Sequence, residues 1–299
     1  VETEIDADVI GERRHLLALA FRMLGTIAEA EDAVQETYAR WYRMTPAERD
    51  AVEVPRAWLT RVASRICLDA LGSARARRER YVGPWLPEPV PDDAFGPLTA
   101  AGSGADDPLD RVTLDESVST ALLLVLESMT PAERVAFVLH DVFAVPFDEI
   151  AEIVGRTPAA CRQLAASARR RIDADRARRA PRAEHDRVVR AFALATSTGD
   201  LTALVAVLDP AIELRSDGGG IVTAARRPVV GAEHVARFLL GLARKRPDAR
   251  VEPCALAGGL GFVLWNEGRI DSVMSLEVGG GRVTRVHMMR NPEKLTRWR

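Results

Sequence analysis

Apolar residues in the first eighty positions recur every three or four residues, the spacing of one face of a helix. Residues 15–24 carry Leu16, Leu17, Ala20, Phe21 and Leu24 on such a face, and Gly25 ends it. Residues 28–42 repeat the pattern through Ala30, Ala33, Val34, Thr37, Tyr38 and Trp41. Thr45-Pro46-Ala47-Glu48 has the form of a capping box with proline at the first helical position. A third helix is expected over about residues 55–80, with Trp58, Leu59, Val62, Ile66, Ala70 and Leu71 inward. Its last turns are crowded with Arg75, Arg77, Arg78 and Arg80. The periodicity then stops. Pro84, Pro87, Pro89, Pro91 and Pro97 forbid a continuous helix and mark a linker between domains. Trp85-Leu86 stands between two of these prolines, which is unusual for a passive tether.

Helical spacing resumes over about residues 110–127, and Thr130-Pro131-Ala132-Glu133 forms a second capping box, opening a helix over 133–142. Residues 147–172 predict a helix, a turn at Gly155-Arg156, and a second helix from Pro158. Ala151 is small where two helices must approach, and Thr157 is a natural N-cap. Ile150, Val154, Cys161 and Leu164 supply a shared core. This pattern fits a helix-turn-helix, whose second helix enters the DNA major groove. A third unit begins near residue 184. It reads as helices over 185–196 and 200–208, a strand over 212–215, three glycines at 218–220, and a helix over 232–244. Strands are expected over 250–256, 261–265, 270–278 and 282–289, the last two joined by Gly279-Gly280-Gly281. Helices followed by a curled antiparallel sheet mean an α+β domain with helices closing one face.

Composition changes this picture little, but the distribution of charge changes it more. With 47% hydrophobic and 28% charged residues the chain is ordinary globular protein. A net charge of -2 argues against a protein that merely coats nucleic acid. The average hides two arginine blocks, the one ending the third helix and a second at Arg169, Arg170, Arg171, Arg176, Arg178 and Arg179. Paired blocks of this kind suit phosphate-backbone contact, although a single block reads equally well as a solvated face. Cys67, Cys161 and Cys254 are odd in number and far apart, so neither a disulfide framework nor a zinc site is expected. The acidic N-terminal residues lack a secretory pattern, and the longest apolar run, residues 121–126, is far too short to span a bilayer. A cytoplasmic location without membrane contact is expected.

At these residues the sequence resembles the extracytoplasmic-function (ECF) sigma factors. Residues 30–37, Ala-Glu-Asp-Ala-Val-Gln-Glu-Thr, match the motif on the helix that docks on the polymerase clamp, which makes Asp32, Gln35 and Glu36 the expected polymerase-binding face. Pro55-Arg56-Ala57-Trp58-Leu59, with Arg61, Arg65 and the arginine run, resembles the segment that melts the −10 element. The resemblance implies −10 contacts by Trp58, Arg61, Arg65, Arg75, Arg77 and Arg78, an aromatic among cations being suited to an unstacked base. Residues 157–171 resemble the −35 reading helix, with Thr157, Arg162, Gln163, Ser167, Arg169 and Arg170 as its contacts. Three further motifs look like the subgroup with a fused SnoaL-like (NTF2-like) extension: Trp85-Leu86-Pro87-Glu88-Pro89, Asp217-Gly218-Gly219-Gly220, and Asn291-Pro292-Glu293-Lys294-Leu295. Ile221 stands where that subgroup usually has lysine.

The resemblance implies a multi-domain chain. Two all-α sigma domains occupy residues 1–82 and 109–181, the second with the helix-turn-helix, and are joined by a linker over 83–108. An α+β cone-shaped domain follows over 182–299. The implied partners are core RNA polymerase at its clamp and flap, and promoter DNA. An intramolecular contact of the last domain through Trp85, Leu86, Pro87, Asp217, Gly218, Gly219, Asn291, Pro292 and Lys294 would stand in for a separate anti-sigma protein. No cofactor, metal or catalytic residue is expected. Two other readings stay open. One is a helix-turn-helix regulator with a ligand-binding domain. The other is a SnoaL-like enzyme using Asp217, His234, Asp271 or His287, which would require two such groups to converge on a substrate.

Overall fold

Side-chain caps such as Thr26 and Thr130 and left-handed glycines such as Gly25 and Gly155 set several helix ends among the described residues of this chain, whose computed structural model describes residues 9–78, 81–92, 94–95 and 119–298. The expected helix start near residue 110, the last part of the linker with Pro97, and Arg80 lie outside the described residues. These residues fall into two compact units. Residues 9–78, Phe95 and residues 125–172 make the first; residues 81–92, 94, 119–124 and 173–298 make the second.

The first unit is helical. It begins with α1 (Arg13–Leu24), α2 (Ile27–Arg43), α3 (Pro46–Asp50) and α4 (Pro55–Arg78). Gly25 closes α1 at φ 82°, and the Thr26 hydroxyl opens α2 by accepting from the Glu29 amide. After α5 (Thr120–Glu127), which crosses from the second unit, come α6 (Pro131–Phe137), α7 (Phe147–Val154) and α8 (Pro158–Arg176). Both expected capping boxes are complete, at Thr45/Glu48 and Thr130/Glu133. One difference from the sequence reading is local: the helix expected over 133–142 changes after Phe137 into a π-helical turn, Val138–Val142.

A buried arginine ties the two halves of this unit. Arg134 on α6 is 3% exposed, and its Nη1 donates to the Met23 carbonyl at 2.7 Å and to Glu127 at 2.7 Å. Its Nε donates to the Leu126 carbonyl at 2.9 Å. The Met23 carbonyl lies in the last turn of α1, where no intrahelical partner exists and the helix dipole is negative. Burial draws the Arg134 pKa down to about 10.

The second unit packs α9 (Arg182–Thr198), α10 (Leu201–Val207) and α11 (Ala232–Lys245) on a six-stranded sheet. Its strands are β1 (Leu208–Asp217), β2 (Val229–Val230), β3 (Arg250–Leu256), β4 (Gly259–Asn266), β5 (Arg269–Gly279) and β6 (Arg282–Met289), in the order β2-β1-β6-β5-β4-β3. The expected α+β class holds, but the sheet is mixed. β1 runs parallel to β6, with Leu214 opposite Val286, and all other neighbours are antiparallel. Parallel neighbours need a crossover connection; here α11 and the β3–β5 meander provide it. β1 is also longer than the strand expected over 212–215, and β2 was not expected.

Alternation along the strands gives the sheet two buried faces. Phe262, Met274 and Met288 join Val189, Phe192, Val235 and Leu239 under the helices. Their sequence neighbours Val263, Val273 and Met289 point to the other face and pack with Leu86, Leu256 and Leu295. The proline-rich segment is thus a strap across the sheet. It also meets β3, where the Ala257 amide donates to Val90 O and the Asp92 amide to Ala255 O.

Replacing Arg134 by leucine removes its hydrogen bonds to the Met23 and Leu126 carbonyls and its ion pair with Glu127. The expected result is a loss of about 3 kcal/mol from the first unit, read by urea titration with hydrogen exchange at the α1 amides.

Candidate functional surfaces

On α2 the inward stripe Ala30, Ala33, Val34, Thr37 and Trp41 is buried, which turns Asp32 and Gln35 to solvent and leaves Glu36 half-buried beside them. Glu36 accepts from Arg40 Nε at 2.9 Å, with Arg43 at 3.7 Å. The Arg40 hydrogen bond holds its carboxyl below the usual glutamate range. The face is acidic but internally braced.

On α4, Trp58 is half-buried and meets the core Trp41 edge-on at 5.2 Å. Arg61 and Arg65 lie toward α7: Arg61 is 3.5 Å from the Glu152 carboxylate, and Arg65 Nη2 donates to the Glu152 carbonyl at 3.1 Å. Arg75, Arg77 and Arg78 fall in the last turns of α4. Near the start of this helix, Arg56 and Thr60 reach the two ring nitrogens of His15 at 3.2 and 3.3 Å, and Phe143 meets the ring edge-on at 5.0 Å. Burial, then the charges of Arg56 and Arg22, lower the His15 pKa to about 4.

Helices α7 and α8 form the expected helix-turn-helix around Gly155, at φ 69°. Thr157 caps α8 by accepting from the Ala160 amide at 3.2 Å. Cys161, Ala165, Ala168 and Ile172 form the buried stripe, leaving Arg162, Gln163, Arg169 and Arg170 exposed. The Arg162 guanidinium lies 5.5 Å from the Phe147 ring centroid. Arg169 Nε donates to Asp141 at 2.9 Å. Ser167 is half-buried, and its hydroxyl donates to Glu133 on α6 at 3.1 Å.

The second unit brings together the three motifs that lie far apart in sequence. Asp217, at the end of β1, is 0% exposed. Its Oδ1 accepts from the Tyr81 hydroxyl at 2.6 Å and the Gly219 amide at 3.0 Å. Its Oδ2 accepts from the Leu86 amide at 3.0 Å and Lys294 Nζ at 2.8 Å. Lys294 also donates to the Leu86 carbonyl at 2.6 Å, and its ammonium lies 4.3 Å from the Trp85 ring centroid. Asn291 donates to the Tyr81 oxygen at 2.9 Å and caps the short turn Pro292–Lys294 through the Glu293 amide. The glycines are required sterically. A Cβ on Gly218 would stand 2.5 Å from the Val222 carbonyl, and one on Gly219 would stand 2.5 Å from Asn291. Pro87 is buried within the strap, whereas Ile221 is 56% exposed.

Two members of this cluster escaped the sequence reading. Tyr81 closes the Asp217–Asn291 link, and Trp298 donates to the Pro89 carbonyl at 2.9 Å. Burial, followed by its bond to the Asp217 carboxylate, pushes the Tyr81 phenol well above its ordinary range.

The four acid–base candidates do not converge. Asp217 is in the cluster just described, and His234 is exposed on α11 with Nδ1 at 3.0 Å from the Val230 carbonyl. His287 is buried against Glu277 at 2.8 Å. Burial alone would raise the Glu277 pKa, but His287 and Arg285 together lower it to about 2. Asp271 is bound by Arg246 and Arg290.

A helical unit that carries a helix-turn-helix, followed by an α+β unit with a mixed sheet, has the architecture of a multi-domain DNA-binding protein. Residues 10–77 match sigma-70 region 2, and residues 119–172 match sigma-70, region 4. The chain is 39% identical over 296 residues to ECF RNA polymerase sigma factor SigJ of Mycobacterium tuberculosis, covering 95% of this chain and 91% of that one. It is also 39% identical over 287 residues to the probable ECF RNA polymerase sigma factor SigI of the same species, covering 95% and 92%. The crystal structure of SigJ matches 99% of this chain and 98% of its own, with a TM-score of 0.70 and 36% identity. The chain belongs to the ECF RNA polymerase sigma factors.

His15 yields a pH prediction. Its folded pKa of about 4 lies below the free value of 6.5, so the unfolded chain binds more protons between the two. Its contribution is complete above about pH 7 and is lost as pH falls through the folded value. The loss expected at about pH 5 is about 2 kcal/mol. Urea unfolding of the wild type and of His15→Gln at both pH values checks this, and the variant is expected to show the smaller pH dependence.

Proposed function

We propose that this sigma factor engages core polymerase and promoter through three surfaces of its helical unit, and that the C-terminal α+β domain regulates it by holding the strap between the two sigma modules. The observation that carries the regulatory half is the buried Asp217 carboxylate, which takes donors from the strap, the glycine loop and the C-terminal turn at once. A contact of this kind within one chain acts at high effective concentration, so it needs no separate anti-sigma partner.

Asp32, Gln35 and Glu36 are the surface for the polymerase clamp; the helix-turn-helix module, read as residues 109–181, meets the flap. Trp58, Arg61, Arg65, Arg75, Arg77 and Arg78, within a module read as residues 1–82, serve the −10 element. Thr157, Arg162, Gln163, Ser167, Arg169 and Arg170 serve the −35 element. In the arrangement described, Arg61 and Arg65 are occupied by Glu152 of the helix-turn-helix. Promoter phosphates therefore have to replace a carboxylate at Arg61 and a backbone carbonyl at Arg65, and polymerase selects the form in which α4 and α7 have parted. Residues 83–108 form the strap and linker, residues 182–299 the regulatory domain. That domain acts without turnover, since its acid–base groups stand apart. The protein works where polymerase is, in the cytoplasm.

Run-off transcription with core polymerase tests this reading. Reversing charge in Asp32→Lys/Glu36→Lys is expected to weaken polymerase binding about tenfold or more with helix content unchanged; unaltered affinity removes this face from the interface.

Arg169→Ala/Arg170→Ala is expected to lower promoter affinity and to flatten the plot of log affinity against log salt by about one unit for each phosphate that goes unneutralised. Titrations of a labelled promoter at several salt concentrations give the slope, and an unchanged slope takes both arginines off the backbone.

A further inference from the structure

Between the sheet, α9 and α11 the second unit holds a cavity of about 430 Å³, a size at which protein pockets take small molecules. Phe192, Leu239, Phe262 and Met274 give it apolar walls, while Ala193, Ala243 and Ala249 line it where larger side chains would fill it. One side is charged. Arg246 Nη1 donates to Asp271 Oδ2 at 2.7 Å, and Arg290 Nη2 donates to Asp271 Oδ1 at 2.9 Å. Two guanidinium groups thus share one carboxylate, and both carboxylate oxygens are already used. Arg246 remains 23% exposed, and its Nε and Nη2 make no hydrogen bond among the described residues. Asp271 is the one acidic residue among those lining the cavity.

We propose that this cavity binds a small apolar carboxylic acid, its hydrocarbon body between the sheet and the helices and its carboxylate on the free edge of Arg246. The chemistry follows from the lining. Apolar walls favour a hydrocarbon body, and a guanidinium with two adjacent free N–H groups matches a carboxylate in bidentate fashion. An amine is repelled by the surplus positive charge, and an alcohol leaves that charge unanswered. The inference deepens the regulatory reading of this domain, because the site touches the strap cluster by two routes. Arg290, bound to Asp271, donates its own amide to the Asp217 carbonyl at 2.7 Å. Met274 and Met288 line the cavity, and their neighbours Val273 and Met289 pack on Leu86 across the sheet.

Calorimetric titration of the full chain with octanoate, 1-octanol and octylamine tests the proposal without reference to transcription, so its failure and that of the regulatory reading are separable. Octanoate is expected to bind, with 1-octanol and octylamine each weaker by about tenfold or more, the loss of a charge-assisted pair. Arg246→Met, which keeps Asp271 paired to Arg290, is expected to weaken octanoate by a similar factor and leave 1-octanol unchanged. Ala243→Phe, at an exposed helical position on the cavity, is expected to abolish binding of both. Equal affinity for octanoate and 1-octanol overturns the carboxylate assignment, and that comparison needs no variant. Absence of binding by octanoate overturns the site.

Discussion

A carboxylate with no solvent exposure is costly unless its charge and its lone pairs are answered, and Asp217 is answered by four donors from three separate stretches of chain. Leu86 comes from the strap and Tyr81 from the residues that lead into it, Gly219 from the loop after β1, and Lys294 from the last turn. Each stretch therefore needs the others: without Lys294 the anion lacks its counter-charge, and without the glycines the loop cannot lie against Asn291. The arrangement gives three short motifs, spread over more than two hundred residues, one physical reason to coexist.

The strap is consequently a structural part of the α+β domain. Leu86 fills one buried face of the sheet, and the segment around Val90 to Asp92 hydrogen-bonds beside the edge strand β3, a place where open backbone groups invite pairing with other chains. Prolines suit this use because they hold the chain extended without asking for ladder donors. What reads as a flexible connection between two sigma modules is fastened along part of its length. In the helical unit, Arg134 has the complementary role, joining α6 to the end of α1 through an arginine that is itself buried.

Local signals made most of this fold legible. Capping boxes at Thr45 and Thr130, left-handed Gly25 and Gly155, and the extents of β3 and β6 are each decided within a few residues, and they are where the sequence places them. Non-local choices were not legible. The parallel pairing of β1 with β6 depends on a crossover of 64 residues, and β2 is too short to carry a pattern. The candidate surfaces divide in the same way. Helical spacing shows that Asp32 and Arg169 face outward, but not that Arg61 and Arg65 meet Glu152 or that Ser167 turns to Glu133. Tyr81 and Arg246 carried no signal, one a single aromatic before a proline-rich stretch, the other one more arginine at a helix end.

In the regulation proposed for this sigma factor, the Asp217–Lys294 cluster latches the strap in the free protein and the strap yields when polymerase binds. Hydrogen exchange at the Leu86 amide measures this directly. Strong protection is predicted in the free chain, lost both in Lys294→Met and on addition of core polymerase to the wild type. Exchange of that amide at the rate of an unstructured peptide in the free wild-type chain rules out the latch, and protection that polymerase leaves unchanged rules out its release.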